Sequence, residues 1–236
     1  MEFVLLTGAT SSIGTAVAIA LSNQYVIILA GRNLDELKLT QSKLEGTGHL
    51  IWNCDFLSDN IYDSLTQFLN SNSIKISHFL HLSGWFSIVP IRLQKKQDTL
   101  KSFQINVFSA IEIISVLTKK EYKQDLKNIL FVSSISSIRG VSGYSVYASA
   151  KSALLGLMKS LAIELKPVKV NTIVLGAVRT KATEDIIKEN EAFINNQSPL
   201  GLASDTVLNS WVLFLLGGKT WMTGQKIIVD GGATVL

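Results

Sequence analysis

The sequence predicts an α/β fold of three layers, a doubly wound parallel sheet of about seven strands with helices on both faces. Three observations carry that expectation. Short apolar runs alternate along the chain with longer stretches of helical periodicity, and a parallel sheet with both faces covered requires that alternation. The first apolar run empties into a Gly- and Ser-containing turn that opens a helix, the start of a nucleotide-binding βαβ unit. Finally, 236 residues with 47% apolar content and only 3 prolines show no linker, charge block or repeat. Residues 1–236 are therefore expected to form one domain around one sizeable core.

The elements follow in order. Glu2 to Leu6 reads as a strand, followed by Thr7-Gly8-Ala9-Thr10-Ser11-Ser12-Ile13-Gly14 and a helix near 12–22. Gly8 lets the chain turn tightly, and the small residues Thr10, Ser11, Ser12 and Gly14 around Ile13 let backbone approach a pyrophosphate. The free N–H groups and positive dipole end of the following helix suit that anion. A second strand at 25–29 ends in Gly31-Arg32-Asn33, where a βαβ unit receives the adenosine ribose. A carboxylate there would bind a free 2′-hydroxyl, but Arg32 matches a 2′-phosphate, so the expected cofactor is NADP(H) rather than NAD(H). Strands at 49–53, 77–82, 127–133, 168–175 and 225–229 alternate with helices near 33–45, 59–70, 97–118, 145–165 and 204–216. Gly14, Asp55, Gly84, Ser134 and Gly176 all fall at or just past expected strand ends, the edge where a doubly wound sheet binds its ligand.

The chemistry lies in the stretch FVSSISSIRGVSGYSVYASAKSALLGL, residues 131–157. Tyr147 and Lys151, four apart on a helix, share one face. An ammonium close to a phenol favours the phenolate, so it is expected to lower a pKa that is ordinarily about 10. A tyrosine tuned in that way trades a proton with a substrate oxygen. The hydroxyl of Ser134, at the end of the apolar run Ile129 to Val132, is placed to hold the same oxygen. Taken alone, a Tyr and a Lys at this spacing also suit any half-exposed helix.

Together these residues resemble the short-chain dehydrogenase/reductase family, over Phe3 to Gly232. Thr7-Gly8 through Gly14 is similar to its T-G-x-x-x-G-x-G cofactor loop, and Gln104-Ile105-Asn106-Val107 carries the residue that matches its catalytic Asn. Ser134, Tyr147 and Lys151 match the rest of the tetrad. Val170 to Thr180 resembles the V-N-x-I-x-P-G-x-V-x-T stretch, and Ser198-Pro199-Leu200-Gly201 with Thr223 to Gly232 resembles the carboxy-terminal signature. The resemblance implies a Rossmann-type fold and cofactor contacts from Asp55 and Phe56 near the adenine. It further implies contacts from Ser83, Gly84, Gly176, Val178 and Thr180 near the nicotinamide, with Tyr147 and Lys151 on its ribose. The implied reaction is carbonyl reduction, with Tyr147 as acid, Lys151 assisting it, Ser134 polarising the carbonyl and Asn106 holding a water. Length and carboxy-terminal pattern are most like the 3-oxoacyl-[acyl-carrier-protein] reductases, a branch that places the chain in fatty acid biosynthesis. Reductases of sugars, polyketides or small alcohols share that pattern, and some proteins on this fold bind a nucleotide without catalysis. An NAD-dependent alcohol dehydrogenase is disfavoured by Arg32. Four features depart from the family pattern: Ser12 for the middle Gly, His81-Leu82-Ser83 for N-N-A, Leu175 for Pro, and no basic residue inside the Gly loop. They are expected to change how the cofactor is held, Ser12 by crowding the pyrophosphate.

Other function classes are excluded or left without support. A net charge of +4 with scattered lysines offers no aromatic-interleaved basic stripe for nucleic acid and suits anionic cofactor and acyl carrier. No uncharged apolar stretch of about 18 residues suggests a membrane span, and MEFVLLTGA lacks the basic start of a signal peptide. The single Cys54 fits a reducing cytoplasm, and His49, His78 and His81 lack a metal-ligand pattern, so no metal is expected. Apolar residues spread around the helix after Tyr147 point to a homo-oligomer, and the resemblance implies a dimer or tetramer. The substrate pocket is expected to include Trp85, Phe86, Ser136, Val141, Ser142 and Tyr144, under a helical lid drawn from 182–197.

Overall fold

Seven apolar runs become seven strands. The computed structural model describes residues 2–185, 187–188 and 195–235. The strands are β1 (Phe3–Thr7), β2 (Val26–Gly31), β3 (Leu50–Asn53), β4 (His78–His81), β5 (Asn128–Ser134), β6 (Lys169–Leu175) and β7 (Lys226–Val229). They form one sheet in the order β3-β2-β1-β4-β5-β6-β7, and every neighbouring pair is parallel. The order reverses between β1 and β4, so a crevice opens beyond their carboxyl ends.

The helices are α1 (Ser12–Ser22), α2 (Leu34–Gln41), α3 (Ile61–Asn72), α4 (Lys96–Phe103), α5 (Ser109–Leu117), α6 (Ser145–Glu164) and α7 (Asn209–Leu216). Strand side chains alternate between faces, and the cores divide accordingly. Leu5, Ile28, Phe79, Ile129 and Phe131 pack with Ile61, Leu65, Ile113, Leu117, Leu154 and Met158, which places α3, α5 and α6 on one face. Val4, Leu6, Ile27, Leu29, Leu80, Leu130 and Ile173 pack with Val17, Leu21, Leu37, Val212 and Leu216, which places α1, α2 and α7 on the other. Burying each such side chain contributes about 1.5–3 kcal/mol, so the central strands are the most strongly held part of the molecule.

Local chemistry sets the helix starts. Asn33 caps α2 by accepting from the N–H groups of Asp35 and Glu36, and Asn60 caps α3 by accepting from Asp63. The expected helices 33–45 and 204–216 are shorter in the structure, because turns and loop occupy 42–49 and 204–208. Between α4 and α5 the helix continues through one π turn, Gln104–Phe108, which carries Asn106. The whole helix Lys96–Leu117 is long and apolar enough, by length and composition, to cross a membrane, with half of its most apolar window buried inside the fold.

Candidate active site

The glycine loop is built by its own hydrogen bonds. Gly8 has φ +69°, a left-handed conformation open to glycine, and a side chain there would strike the backbone of Leu82 and Ser83 at 2.8 Å. Gly14 is tighter still, since a Cβ would lie 2.1 Å from the carbonyl oxygen of Gly8. Ser11 caps α1: its hydroxyl accepts from Gly14 N at 3.0 Å and donates to Gly8 O at 2.8 Å. The hydroxyl of Ser12 turns to the opposite wall and accepts from the N–H of Lys181 at 3.3 Å. Ser12 thus links the loop to the segment after β6 while lining the cleft.

Thr10, Ser11, Ser12 and Ile13 form one end of a cleft of about 470 Å³ that continues to Ser134, Tyr147 and Lys151. Gly84, Gly176, Val178, Thr180, Ser136 and Tyr144 also line it. Leu175, in place of the family's Pro, ends β6 opposite Ser134 and Val229 and faces the cleft. The turn beyond it is tied down by Thr183, whose hydroxyl meets Thr180 Oγ1 at 2.9 Å and donates to Val178 O at 2.8 Å.

Lys151 is buried, and its ammonium donates to Val132 O at 3.0 Å while lying 5.8 Å from the centre of the Tyr147 ring. Burial lowers its pKa from 10.5 to about 8. For Tyr147 the structure corrects the expectation: burial raises the phenol to about 12, and the Ser134 hydroxyl beside it pulls in the opposite direction without prevailing. Desolvation of the phenolate, with a small contribution from Tyr144 in the same direction, outweighs the Ser134 hydrogen bond.

Asn106 is completely buried. Its amide donates to Trp85 O and Ser102 O, each at 2.8 Å, while Oδ1 has no partner. A Cβ on Gly84 would touch this Oδ1 at 3.2 Å and Lys151 Nζ at 3.3 Å, so both groups border the same small space. The backbone carbonyl of Asn106 lies 3.2 Å from His81 Nε2, and His81 Nδ1 lies 3.0 Å from Thr7 Oγ1. The histidine thus joins the ends of β1 and β4 to the π turn. Burial, reinforced by the Lys151 charge, lowers its pKa to about 3, so the ring is neutral. Ser83 is buried, and its N–H donates to Thr7 Oγ1 at 3.2 Å.

Several expected residues stand elsewhere. Trp85 does not line the cleft: its ring meets the Lys101 ammonium at 4.6 Å, and its neighbour Phe86 takes the place on the wall. Phe86 stacks on Tyr144 with 8° between ring planes and approaches the Tyr147 ring at 5.7 Å. Phe56 is a core residue whose ring packs against Trp52 at 5.8 Å between centroids. Arg32 and Asn33 lie exposed beyond β2, apart from the residues lining the cleft, with Asn33 committed to its cap. Asp55 accepts from Leu57 N at 3.1 Å. Of the expected lid, Ile186 and residues 189–194 lie outside the described residues, while Ile187 lines the cleft.

Sequence reasoning missed three supports. Asn53 donates to the carbonyls of Gly31 and Arg32, each at 3.0 Å, and fixes the turn that presents Arg32. Lys181 joins the cleft beside Ser12. Arg139 reaches from the loop after β5 to Ala233 O at 2.6 Å and to Gln197 Oε1. Each pairs segments far apart in the chain, and no local pattern announces it.

Comparison with known proteins fits this geometry. A family profile described as enoyl-(acyl carrier protein) reductase matches residues 8–234. Carbonyl reductase family member 4 of Xenopus laevis is 28% identical over 95% of this chain and 94% of its own. The 3-oxoacyl-[acyl-carrier-protein] reductase of Bos taurus is 26% identical over 95% and 94%, and D-erythrulose reductase of Gallus gallus 30% identical over 98% and 95%. Among solved structures, a short-chain type dehydrogenase/reductase from Mycobacterium marinum superposes with a TM-score of 0.89 at 25% identity, covering 100% of this chain and 96% of that one. A 4-hydroxyisoleucine dehydrogenase complexed with NADH gives 0.91 at 20% identity over 100% of both chains. ElxO with NADP bound gives 0.88 at 21%, over 100% of this chain and 99% of its own.

Proposed function

Because the chain belongs to the short-chain dehydrogenase/reductase family of oxidoreductases, we propose that it reduces a ketone to a secondary alcohol with NADPH, the ketone being a 3-oxoacyl thioester. The observation that carries the reaction type is the convergence of Ser134, Tyr147 and Lys151 in the cleft that begins at the amino end of α1. A dinucleotide suits this cleft: the tight loop packed through Gly8 and Gly14 sets Thr10, Ser11, Ser12 and Ile13 along it, and Gly84 leaves space against Asn106 and Lys151 that any side chain would fill. Solved relatives with NADH and with NADP bound support a nicotinamide cofactor, and Arg32 favours the phosphorylated form.

Gly8, Thr10, Ser11, Ser12, Ile13 and Gly14 would hold the pyrophosphate, Arg32, Asn33 and Asp55 the adenosine end, and Ser83, Gly84, Gly176, Val178 and Thr180 the nicotinamide end. A bound nicotinamide supplies the hydride. Ser134 orients the substrate carbonyl, and Tyr147, a protonated phenol at neutral pH, gives its proton to the carbonyl oxygen. Lys151, charged below about pH 8, offsets the phenolate as it forms. Asn106 Oδ1, a buried acceptor without a partner, is suited to hold a water beside Lys151 that returns the proton.

The similarity to 3-oxoacyl-[acyl-carrier-protein] reductases supports the thioester, and the similarity to D-erythrulose reductase makes a small hydroxyketone the second reading. Assembly into a homo-oligomer through α4, α5 and α6 accounts for the exposure of Leu100, Phe108, Ile111 and Ile163. The test is NADPH oxidation with an acetoacetyl thioester, run beside NADH and beside Tyr147→Phe. Turnover is expected with NADPH and is expected to fall at least ~100-fold in the variant, with cofactor binding retained. Near-normal turnover by Tyr147→Phe would sink the assignment.

A further inference from the structure

Ser136 is buried, its hydroxyl has no hydrogen-bond partner, and it lines the cleft two residues beyond Ser134. A buried hydroxyl without a partner costs the fold free energy, and a substrate atom in the cleft that Ser136 lines would supply that partner. The backbone N–H of Ser136 donates to Ser134 Oγ at 3.3 Å, so both residues belong to one tight turn, and both line the cleft. Ser134 is spoken for by the reacting carbonyl. Phe86, Val141 and Tyr144 add aromatic and apolar wall to the same cleft, and among the described residues its lining cations are Lys151, placed with Tyr147, and Lys181, beside Ser12.

We propose that the Ser136 hydroxyl is a specificity group: it donates to a second, uncharged oxygen of the substrate, close to the ketone being reduced. The acyl oxygen of a 3-oxo ester or thioester and the hydroxyl of a 2-hydroxyketone share this chemistry. The inference rests on carbonyl reduction at Tyr147 and names what the ketone must carry. A site built to hydrogen-bond a substrate oxygen rejects analogues that lack it, because its own polar group is then left unpaired.

The experiment compares wild type, Ser136→Ala and Ser136→Thr on acetoacetyl-N-acetylcysteamine, hydroxyacetone and 2-pentanone, with thermal melting of each protein. Ser136→Ala is expected to lower kcat/KM about tenfold or more for at least one oxygenated ketone, to leave 2-pentanone unchanged, and to melt no lower than wild type; Ser136→Thr is expected to restore the preference. Which oxygenated ketone responds identifies the source of the second oxygen. An equal fall on all three ketones, no fall on any, or a lower melting temperature for Ser136→Ala overturns the proposal while leaving the reductase intact. Wild type that binds NADPH yet reduces none of the three overturns the reductase reading and this inference with it.

Discussion

Tyr147 and Lys151 titrate in opposite directions under one cause. Burial disfavours both charged forms, so the phenol is held at about 12 and the ammonium at about 8. The pair therefore begins a reduction cycle as phenol and ammonium at neutral pH, and the group lost on raising the pH is the lysine. We expect kcat/KM for reduction to be level through neutrality and to fall above about pH 8, where Lys151 becomes neutral. A profile flat to pH 10 would separate Lys151 from the proton chemistry. His81 makes a second prediction. Its folded pKa of about 3 lies below its ordinary 6.5, so between those values the unfolded chain binds more protons than the folded one. Stability is present above pH 6.5 and drains away as pH falls toward 3, by on the order of several kcal/mol. Urea midpoints measured from pH 7 to pH 4 should therefore fall steeply in wild type and much less in His81→Asn. The spacing of Tyr147 and Lys151 was legible because a helix fixes which residues share a face. The direction of the tyrosine shift was not, because desolvation depends on neighbours drawn from β5, the segment after β4 and the 141–144 turn.

Strands were readable to within two residues at each end because a buried parallel strand must be apolar nearly throughout, and turn residues bound each run. The glycine loop was readable for a related reason: strand, bare turn and capped helix succeed one another in sequence. Trp85 and Phe86 show the limit. Adjacent aromatic residues in a segment without regular periodicity give no sign of which will face the cleft, and in the structure Trp85 lies against Lys101 on α4 while Phe86 lines the cleft. The π turn was equally hidden, since Gln104 to Phe108 has ordinary helical composition. At this scale Gly14→Ala is the decisive variant. Its Cβ would meet a main-chain oxygen at 2.1 Å, and backbone cannot step aside as a side-chain tip does. We expect NADPH affinity, followed by cofactor fluorescence, to fall at least tenfold and the melting temperature to drop. Ser11→Ala, which removes only the cap, should cost about 1 kcal/mol.

Across the molecule, the switch between β1 and β4 gathers residues from 10 to 187 into one cleft, while the exposed apolar residues of α4, α5 and α6 lie outside its lining. Charging that surface should therefore separate assembly from folding. Ile111→Lys combined with Ile163→Glu is expected to give monomers by light scattering, with an unchanged circular dichroism spectrum; an undiminished particle mass would place the interface elsewhere. Arg139 spans a comparable distance inside one chain, and its two contacts differ in kind. Gln197 offers a side chain, which mutation can replace, whereas Ala233 offers a main-chain carbonyl, which every amino acid possesses. In descent, then, positions 139 and 197 should change together, while position 233, held small by its burial, keeps its bond to Arg139 through any residue that fits, as long as Asp230 keeps its turn in place through Gly232 N and Thr234 N. The carboxy-terminal turn is inherited as a shape that Asp230, Gly231 and Gly232 impose.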